Sequence, residues 1–251
     1  MITEYELYSD ERKETHNGNS YLTIGGLVCT DKGRDRLLAK LKPLRTVLTG
    51  EVGWKKISTF HVQTYKAWLD VFFDDPYARY SVLSVNQTSP DWQTFRRQLH
   101  RTKSHDDPLA SAYYQFLLVT FGSLHDSQRW WVYPDSGYFS RDKVLERVEF
   151  LFNRTYKKAF GPKSSRIIRL ARGLDSKHAD LIQLADLLLG CSACAEYAYT
   201  PQSSGRCTLL RHYQERLNIT KVTQRGLQKI AMRSWITPGL SYIPVDRTRL
   251  V

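Results

Sequence analysis

Leu174-Asp175-Ser176-Lys177-His178-Ala179-Asp180-Leu181-Ile182-Gln183-Leu184-Ala185-Asp186-Leu187-Leu188-Leu189-Gly190 reads as a helix that begins near Ser176 and runs past Cys194. From Leu181 to Leu189 only Gln183 and Asp186 are polar. A helix apolar almost all round is a buried helix. Asp186 is therefore expected to be an interior carboxylate, and an ionised group there needs a partner. It lies ~15 Å along the axis from Ser176, beyond the first turn where the helix dipole favours an anion. A metal ion or a cationic side chain is then required. Gln183, three residues earlier, shares its face. Asp180, ~9 Å away and about 240° around the helix, does not, and reads as a first-turn charge.

With 41% hydrophobic and 25% charged residues, the 251-residue chain has the composition of a globular protein with an ample core. No apolar run is long enough to span a membrane, and Met1-Ile2-Thr3-Glu4-Tyr5-Glu6 lacks the regions of a signal peptide. Cys29, Cys191, Cys194 and Cys207 make no disulfide framework for a chain of this size, so the cytoplasm is the expected compartment. The net charge of +12 favours a polyanionic partner, nucleic acid first. An ordinary basic surface is the plain alternative.

Working outward, Tyr5–Tyr8 reads as a first strand ending at Ser9-Asp10, followed by turn residues His16-Asn17-Gly18-Asn19 and a buried strand Tyr21–Cys29. Helices are expected over Asp31–Leu48, Thr64–Phe73, Asp91–Arg101, Leu109–His125 and Ser140–Phe160, and strands over Tyr80–Val85, Arg129–Tyr133 and Arg166–Leu170. The order is that of an α/β protein: one sheet with an antiparallel edge and later crossover helices. Beyond Thr200, helices are expected at Leu209–Leu217 and Gln224–Met232.

If the first and fourth strands are parallel neighbours, Asp10 and Asp135 emerge at one carboxyl edge, where α/β sheets gather ligands. Glu51 and Asp186 complete a candidate acidic quartet. Two unit charges ~4 Å apart repel by ~4 kcal/mol at an effective dielectric near 20, so such a quartet must diverge or share divalent metal. All-oxygen ligation suits Mg²⁺ or Mn²⁺, and ions on such a cluster serve phosphodiester cleavage. Asp10 and Asp135 also fit turns, and Glu51 beside Gly50 also fits a solvated loop.

Tyr8-Ser9-Asp10-Glu11, Gly50-Glu51-Val52-Gly53-Trp54-Lys55 and Asp175-Ser176 with Gln183-Leu184-Ala185-Asp186-Leu187-Leu188-Leu189-Gly190 resemble the family named domain of unknown function 3800. The resemblance spans roughly residues 4 to 195. It implies a ribonuclease H-like fold with an acidic metal site. That means a mixed five-stranded sheet with flanking helices over residues 1–200 and a partly helical C-terminal extension over 201–251, packed on the same domain. Asp10, Glu51 and Asp186 match the family's acidic positions, and Asp135 is placed by strand order. Two departures stand out: Arg12-Lys13 replace the family's Ser-Gly, and Gly53 replaces a Lys before the Trp, with Lys55 and Lys56 on the far side.

Cys191 and Cys194 read as a small-residue packing face, and His178 as a surface or capping residue. Basic groups recur at Arg96, Arg97, His100, Arg101 and Lys103, at Lys163, Arg166, Arg169 and Arg172, and at Arg225, Lys229 and Arg233. With Tyr113-Tyr114 and Trp130-Trp131 they suggest phosphate neutralisation plus base stacking, although adjacent strand tryptophans face opposite ways and one belongs in the core. The expected function is a metal-dependent nuclease. Asp10, Glu51, Asp135 and Asp186 would hold Mg²⁺ or Mn²⁺ while an activated water attacks phosphorus in line, and Lys55, Lys56, Arg96, Arg97, Arg101 and Lys177 would bind nucleic acid. Antiviral defence or toxicity is the cellular role such families suggest. A nucleic-acid-binding or assembly subunit with a decayed site is the other reading. A protein partner or homo-oligomer is compatible with either, and no membrane is expected.

Overall fold

The computed structural model describes residues 3–16, 18–48, 50–99, 108–121, 128–139, 144–160, 167–197, 201, 203–219 and 230–234. In chain order the elements are β1 (Thr3–His16), β2 (Asn19–Cys29), α1 (Asp31–Leu44), α2 (Val62–Phe73), β3 (Arg79–Asn86), α3 (Pro90–Leu99) and α4 (Pro108–Phe121). There follow β4 (Gln128–Pro134), the single turn α5 (Ser136–Phe139), α6 (Val144–Phe160), β5 (Ile168–Ala171), α7 (Asp180–Glu196), α8 (Ser204–Leu217) and β6 (Ile230–Ser234).

One mixed sheet carries them in the order β5-β4-β1-β2-β3-β6. β2 pairs antiparallel with both neighbours, and every other pairing is parallel. This is an α/β protein with helices on both faces. The antiparallel strand is internal, not at an edge, because β1 and β2 form the central hairpin from which the chain crosses over in both directions. A sixth strand, β6, joins the five expected ones beside β3. It takes Ile230–Met232, which the sequence places in a helix: Ile-Ala-Met fits either period, and the open edge of β3 decides. Arg225 and Lys229 lie outside the described residues, as do His100, Arg101, Lys103, Lys163 and Arg166.

Alternation along β1 builds two cores. Leu7 joins Leu22, Ile24, Phe116, Trp130, Val132 and Phe152 beneath α4 and α6. Tyr8 joins Leu27, Trp54, Trp68, Tyr80 and the apolar faces of α1, α2, α7 and α8. α7 lies against β1 and β2. Its apolar surround is as the sequence predicts, but the helix begins later, at Asp180. Ser176–His178 form a separate 3₁₀ turn, and the backbone breaks at Ala179 (φ −124°, ψ 87°). The turn is held by its own bonds: Asp175 accepts from the Lys177 N–H, and Gln183 Nε2 donates to the Ser176 carbonyl.

Two glycines permit the close packing around α7. A side chain on Gly25 would stand 2.0 Å from the Tyr80 hydroxyl, which crosses β2 and donates 2.9 Å to the Ala185 carbonyl. A Cβ on Gly190 would stand 2.2 Å from the indole of Trp54, itself fully buried. Gly190→Ala is expected to lower stability by ~1–3 kcal/mol as overpacking, outweighing the ~1 kcal/mol that Ala gains in helix propensity. Urea unfolding is the measurement, and an unchanged midpoint would show that Trp54 does not rest on this helix.

Candidate active site

β1 does not stop at Asp10. It continues to His16 because β2 pairs with it residue for residue back to the turn, where Gly18 takes a φ of +75°. The parallel neighbour β4 ends opposite Ser9 at Pro134. From Asp10 onward β1 therefore has a neighbour on one side only, and the gap lies at the carboxyl end of β4. This is where ligands gather in open α/β sheets.

Three carboxylates reach that gap. Tyr8 packs in the core beneath α7, so Asp10, two residues on, faces the same layer. Tyr133 stacks on Tyr8 at 5.2 Å, so Asp135, two residues beyond it, follows that face, with its N–H donating 2.8 Å to the Ser9 carbonyl. Asp186 descends from α7. The expected parallel pairing of the first and fourth strands is present. Asp10 meets Asp186, and Asp135 acts on Glu11 and, last among its neighbours, on Asp10.

Burial and neighbouring charges perturb Asp10, Asp186 and Glu11. Burial pushes the Asp10 carboxyl well above the usual range, and Asp186, Glu11 and Asp135 push the same way. Only the Glu11 N–H, donating 2.8 Å to Oδ1, opposes them. Asp186 is raised by burial too, against the Trp54 N–H, Arg12, a hydrogen bond with Asp10 and Lys55. Glu11 is pushed up to about 7 by burial and then by Asp135, with Lys13 opposing. One Glu11 oxygen is buried without a hydrogen-bond partner. The partner demanded by Asp186 is thus partly a backbone N–H and two nearby cations.

A divalent ion fits this donor set in one form and not in another. Among the described residues no three His, Cys, Asp or Glu side chains are gathered closely enough to ligate one ion. A closed four-carboxylate cage is not built here. Mg²⁺ is commonly held by one or two carboxylates, with water and substrate phosphate completing the octahedron. The facing carboxyls of Asp10 and Asp186 suit that open form.

The segment from Gly50 to Lys56 is clamped on α7 by alternate backbone groups. The Val52 N–H donates 2.8 Å to Gln183 Oε1, and the Trp54 N–H donates 2.8 Å to Asp186 Oδ2. Gln183 and Asp186 are three residues apart on one helix face, matching the two-residue repeat of the extended segment. Gly53 lies between these contacts, and a Cβ there would stand 2.7 Å from Asp186 Oδ2. Arg206 of α8 secures the far end by donating to the carbonyls of Trp54 (3.0 Å) and Lys55 (2.6 Å).

Glu51 has other company. It is ion-paired with Lys56, accepts 3.1 Å from the Ser176 hydroxyl and is held below the usual carboxylate range, chiefly by Lys56. The charges that act on it are cations, whereas those that raise Asp10 are carboxylates. Glu51, Lys56 and Lys177 line an open pocket of about 600 Å³ with Arg45, Gly50, His178 and Asp180. Asp180 stands in the first turn of α7, and Arg45 bonds to it at 2.7 Å and to Gln183 at 2.6 Å.

Of the expected nucleic-acid contacts, Lys55, Lys56 and Lys177 are exposed beside this segment. Arg96 and Arg97 lie on α3, and Arg101 is outside the described residues. Of the four expected stacking rings, Tyr113, Tyr114 and Trp130 are core residues, Trp130 stacking on Phe121 at 4.0 Å, and Trp131 is half-buried. Amphipathic aromatics pack as readily as they stack, and the second core claims these. Sequence reasoning did not single out Glu11, Arg45 or Arg206. Glu11 could have been found as the acid next to Asp10; Arg45 and Arg206 act across more than a hundred residues, where no local signal exists.

Fold and site together define an α/β protein with a carboxylate pair at the carboxyl edge of a mixed sheet. No family model matches the chain, and no curated protein matches it. Among the described residues no helix is long and apolar enough to cross a membrane.

The raised carboxyls make a prediction for the metal-free protein. A folded carboxyl pKa above its unfolded value, near 4, means that the native state binds more protons. That contribution is full below pH ~4 and is lost as pH rises toward the folded values, which for Glu11 is about 7. In EDTA, Asp10→Asn should raise stability at pH 7 by ~1–2 kcal/mol, a part of the ~4 kcal/mol between two charges ~4 Å apart, and flatten the decline. Denaturant titrations across pH 4–8 test this. A variant less stable than wild type throughout would contradict the crowded pair.

Proposed function

We propose that the protein is a metal-dependent nuclease of ribonuclease H-like fold, hydrolysing phosphodiester bonds of nucleic acid with Mg²⁺ or Mn²⁺. The observation that carries this reading is the facing pair Asp10 and Asp186, both raised by burial and Asp10 further by Asp186, with Asp135 acting on Asp10 as well. The central antiparallel hairpin flanked by parallel crossover strands supports the fold assignment. The quoted motifs support the resemblance to the domain of unknown function 3800 family. The excess of 37 Lys and Arg over 25 Asp and Glu supports a polyanionic substrate.

In this reading Asp10 and Asp186 hold the cation. The chemistry such an ion supplies is Lewis acidity toward a phosphoryl oxygen and acidification of water. Asp135 and Glu11 deepen the negative field that draws the ion in. The Trp54 N–H keeps one oxygen of Asp186 fixed, so that the other is left for ligation. Lys55, exposed beside Asp186, offers positive charge to the phosphate backbone, while Arg12, largely buried 5.8 Å over the Trp54 ring and ion-paired with Glu14, acts on Asp186 from within. Gly53 leaves the approach to Asp186 free of a side chain. Glu51 braces the Gly50–Lys56 segment against Ser176 and Lys56.

A nucleic-acid-binding subunit is the second reading, favoured by one observation: no three described carboxylates gather around a single point. The two separate by experiment. A nuclease should cleave labelled RNA, hybrid or DNA with Mn²⁺, and Asp10→Asn or Asp186→Ala should lose more than about 100-fold, several kcal/mol of charge stabilisation. Glu51→Gln should retain most of the activity. Calorimetry should find a Mn²⁺ site that disappears in Asp10→Ala. Cleavage by Asp186→Ala at the wild-type rate would refute the assignment, and nucleic-acid binding with no Mn²⁺ site would favour the subunit.

A further inference from the structure

The loop that follows the carboxylate clamp carries an aromatic side chain that the fold does not use. Phe60 is 90% exposed, the most exposed large hydrophobic side chain among the described residues. Its ring stands edge-to-face with His61, centroids 4.7 Å apart. Such exposure forgoes the free energy that burying a Phe side chain would supply.

The backbone beneath Phe60 is firmly held. The Trp54 N–H is bonded to Asp186, and the carbonyls of Trp54 and Lys55 are bonded to Arg206. The Lys56 carbonyl accepts 3.1 Å from the Tyr65 hydroxyl. Ile57, Ser58 and Thr59 then pass so close to α8 that a Cβ on Gly205 would stand 3.1–3.2 Å from each of them. Thr59 and Ser204 share a hydroxyl hydrogen bond of 3.1 Å. The exposed ring is therefore offered by a braced segment and not by a floppy loop.

Charge on the same segment says what the ring is for. Lys55 is exposed and lies close enough to Asp186 to lower its pKa, so it marks the carboxylate end. Arg206 donates from its guanidinium to the Trp54 and Lys55 carbonyls and adds a second cationic side chain to the segment. Phe60 lies five positions past Lys55, a reach of at most ~18 Å. A cation next to the acidic pair and a bare ring a short distance away match the two features that bind single strands: charge for the backbone and a stacking face for a base.

We infer that Phe60 is a base-stacking residue and that Lys55 is the phosphate contact beside it, so that the segment Lys55–His61 takes a single-stranded nucleic acid running toward the Asp10–Asp186 pair. The inference rests on the nucleic-acid reading above and deepens it to strandedness. A duplex keeps its bases stacked on one another and offers Phe60 no face.

The test is fluorescence anisotropy in EDTA with 20-nucleotide probes: oligo(U), oligo(dT) and a blunt RNA duplex. Binding without metal is read separately from cleavage, so its failure leaves the nuclease assay untouched, and failure of that assay leaves this one intact. Phe60 is exposed, so its variants should fold. Phe60→Ala should weaken single-strand binding by about 5- to 150-fold, the range for losing one stacked base, and leave the salt dependence unchanged. Phe60→Trp should bind at least as well as wild type. Lys55→Ala should reduce the slope of log affinity against log salt by about 0.7, one phosphate contact on a single strand. Tighter oligo(U) or oligo(dT) binding names the strand. Single-strand affinity within twofold of wild type in Phe60→Ala, or a duplex bound as tightly as the single strands, would overturn the inference.

Discussion

Two hydrogen bonds from one extended segment to one helix face hold the site together. The Val52 and Trp54 N–H groups point at Gln183 and Asp186 of α7, each at 2.8 Å. A two-residue repeat meets a three-residue helical spacing, and the match fixes the register of the whole Gly50–Lys56 segment. It lets Trp54 lie flat on α7 where Gly190 gives it room. It also supplies part of the compensation that a carboxylate in an apolar helix requires. If this clamp were lost, Trp54 would leave the core and Asp186 would lose its fixed orientation together.

The clamp leaves an electrostatic debt that the fold does not settle. Asp10 meets Asp186 across the layer between β1 and α7, with Asp135 and Glu11 close by, and burial raises Asp10, Asp186 and Glu11 above the usual carboxylate range. Elsewhere the same chain pairs its acids closely: Asp75 with Arg36, Glu6 with Arg34, Asp180 with Arg45 and Glu51 with Lys56. A protein with twelve surplus positive charges has cations to spare, and of these Arg12 and Lys55 act on Asp186. Perturbed carboxyls in a gap at a sheet's carboxyl edge are a functional signature more often than a packing accident.

Much of the architecture was legible from local pattern. The alternating strand at Tyr5, the apolar β2, the helical repeats of α1, α2 and α6, and the buried α7 follow from hydrophobic periodicity. The ends went astray where a neighbour decided. β1 runs on past Asp10 because β2 is there to pair with it, and α7 starts late because Asp175 and Gln183 stabilise a separate turn at Ser176. Asp10, Asp135 and Asp186 could be named from strand order and from one charge in an apolar helix. Glu51 could not be separated from them, since its assignment to Lys56 and Ser176 depends on how the segment lies on α7.

By itself the sequence determined the α/β class, the burial of α7, the isolation of Asp186 within it and the basic excess. Each is a property of residue type and spacing along one element. Tertiary structure alone decided that β4 ends opposite Ser9, that β6 closes the edge of β3, that Arg45 and Arg206 brace distant segments and that Phe60 is left bare while Tyr113, Tyr114 and Trp130 are covered. The physical reason is common to all of these. Hydrogen-bond partners and solvent exposure depend on what packs opposite, and residues more than a hundred positions apart carry no local record of their meeting.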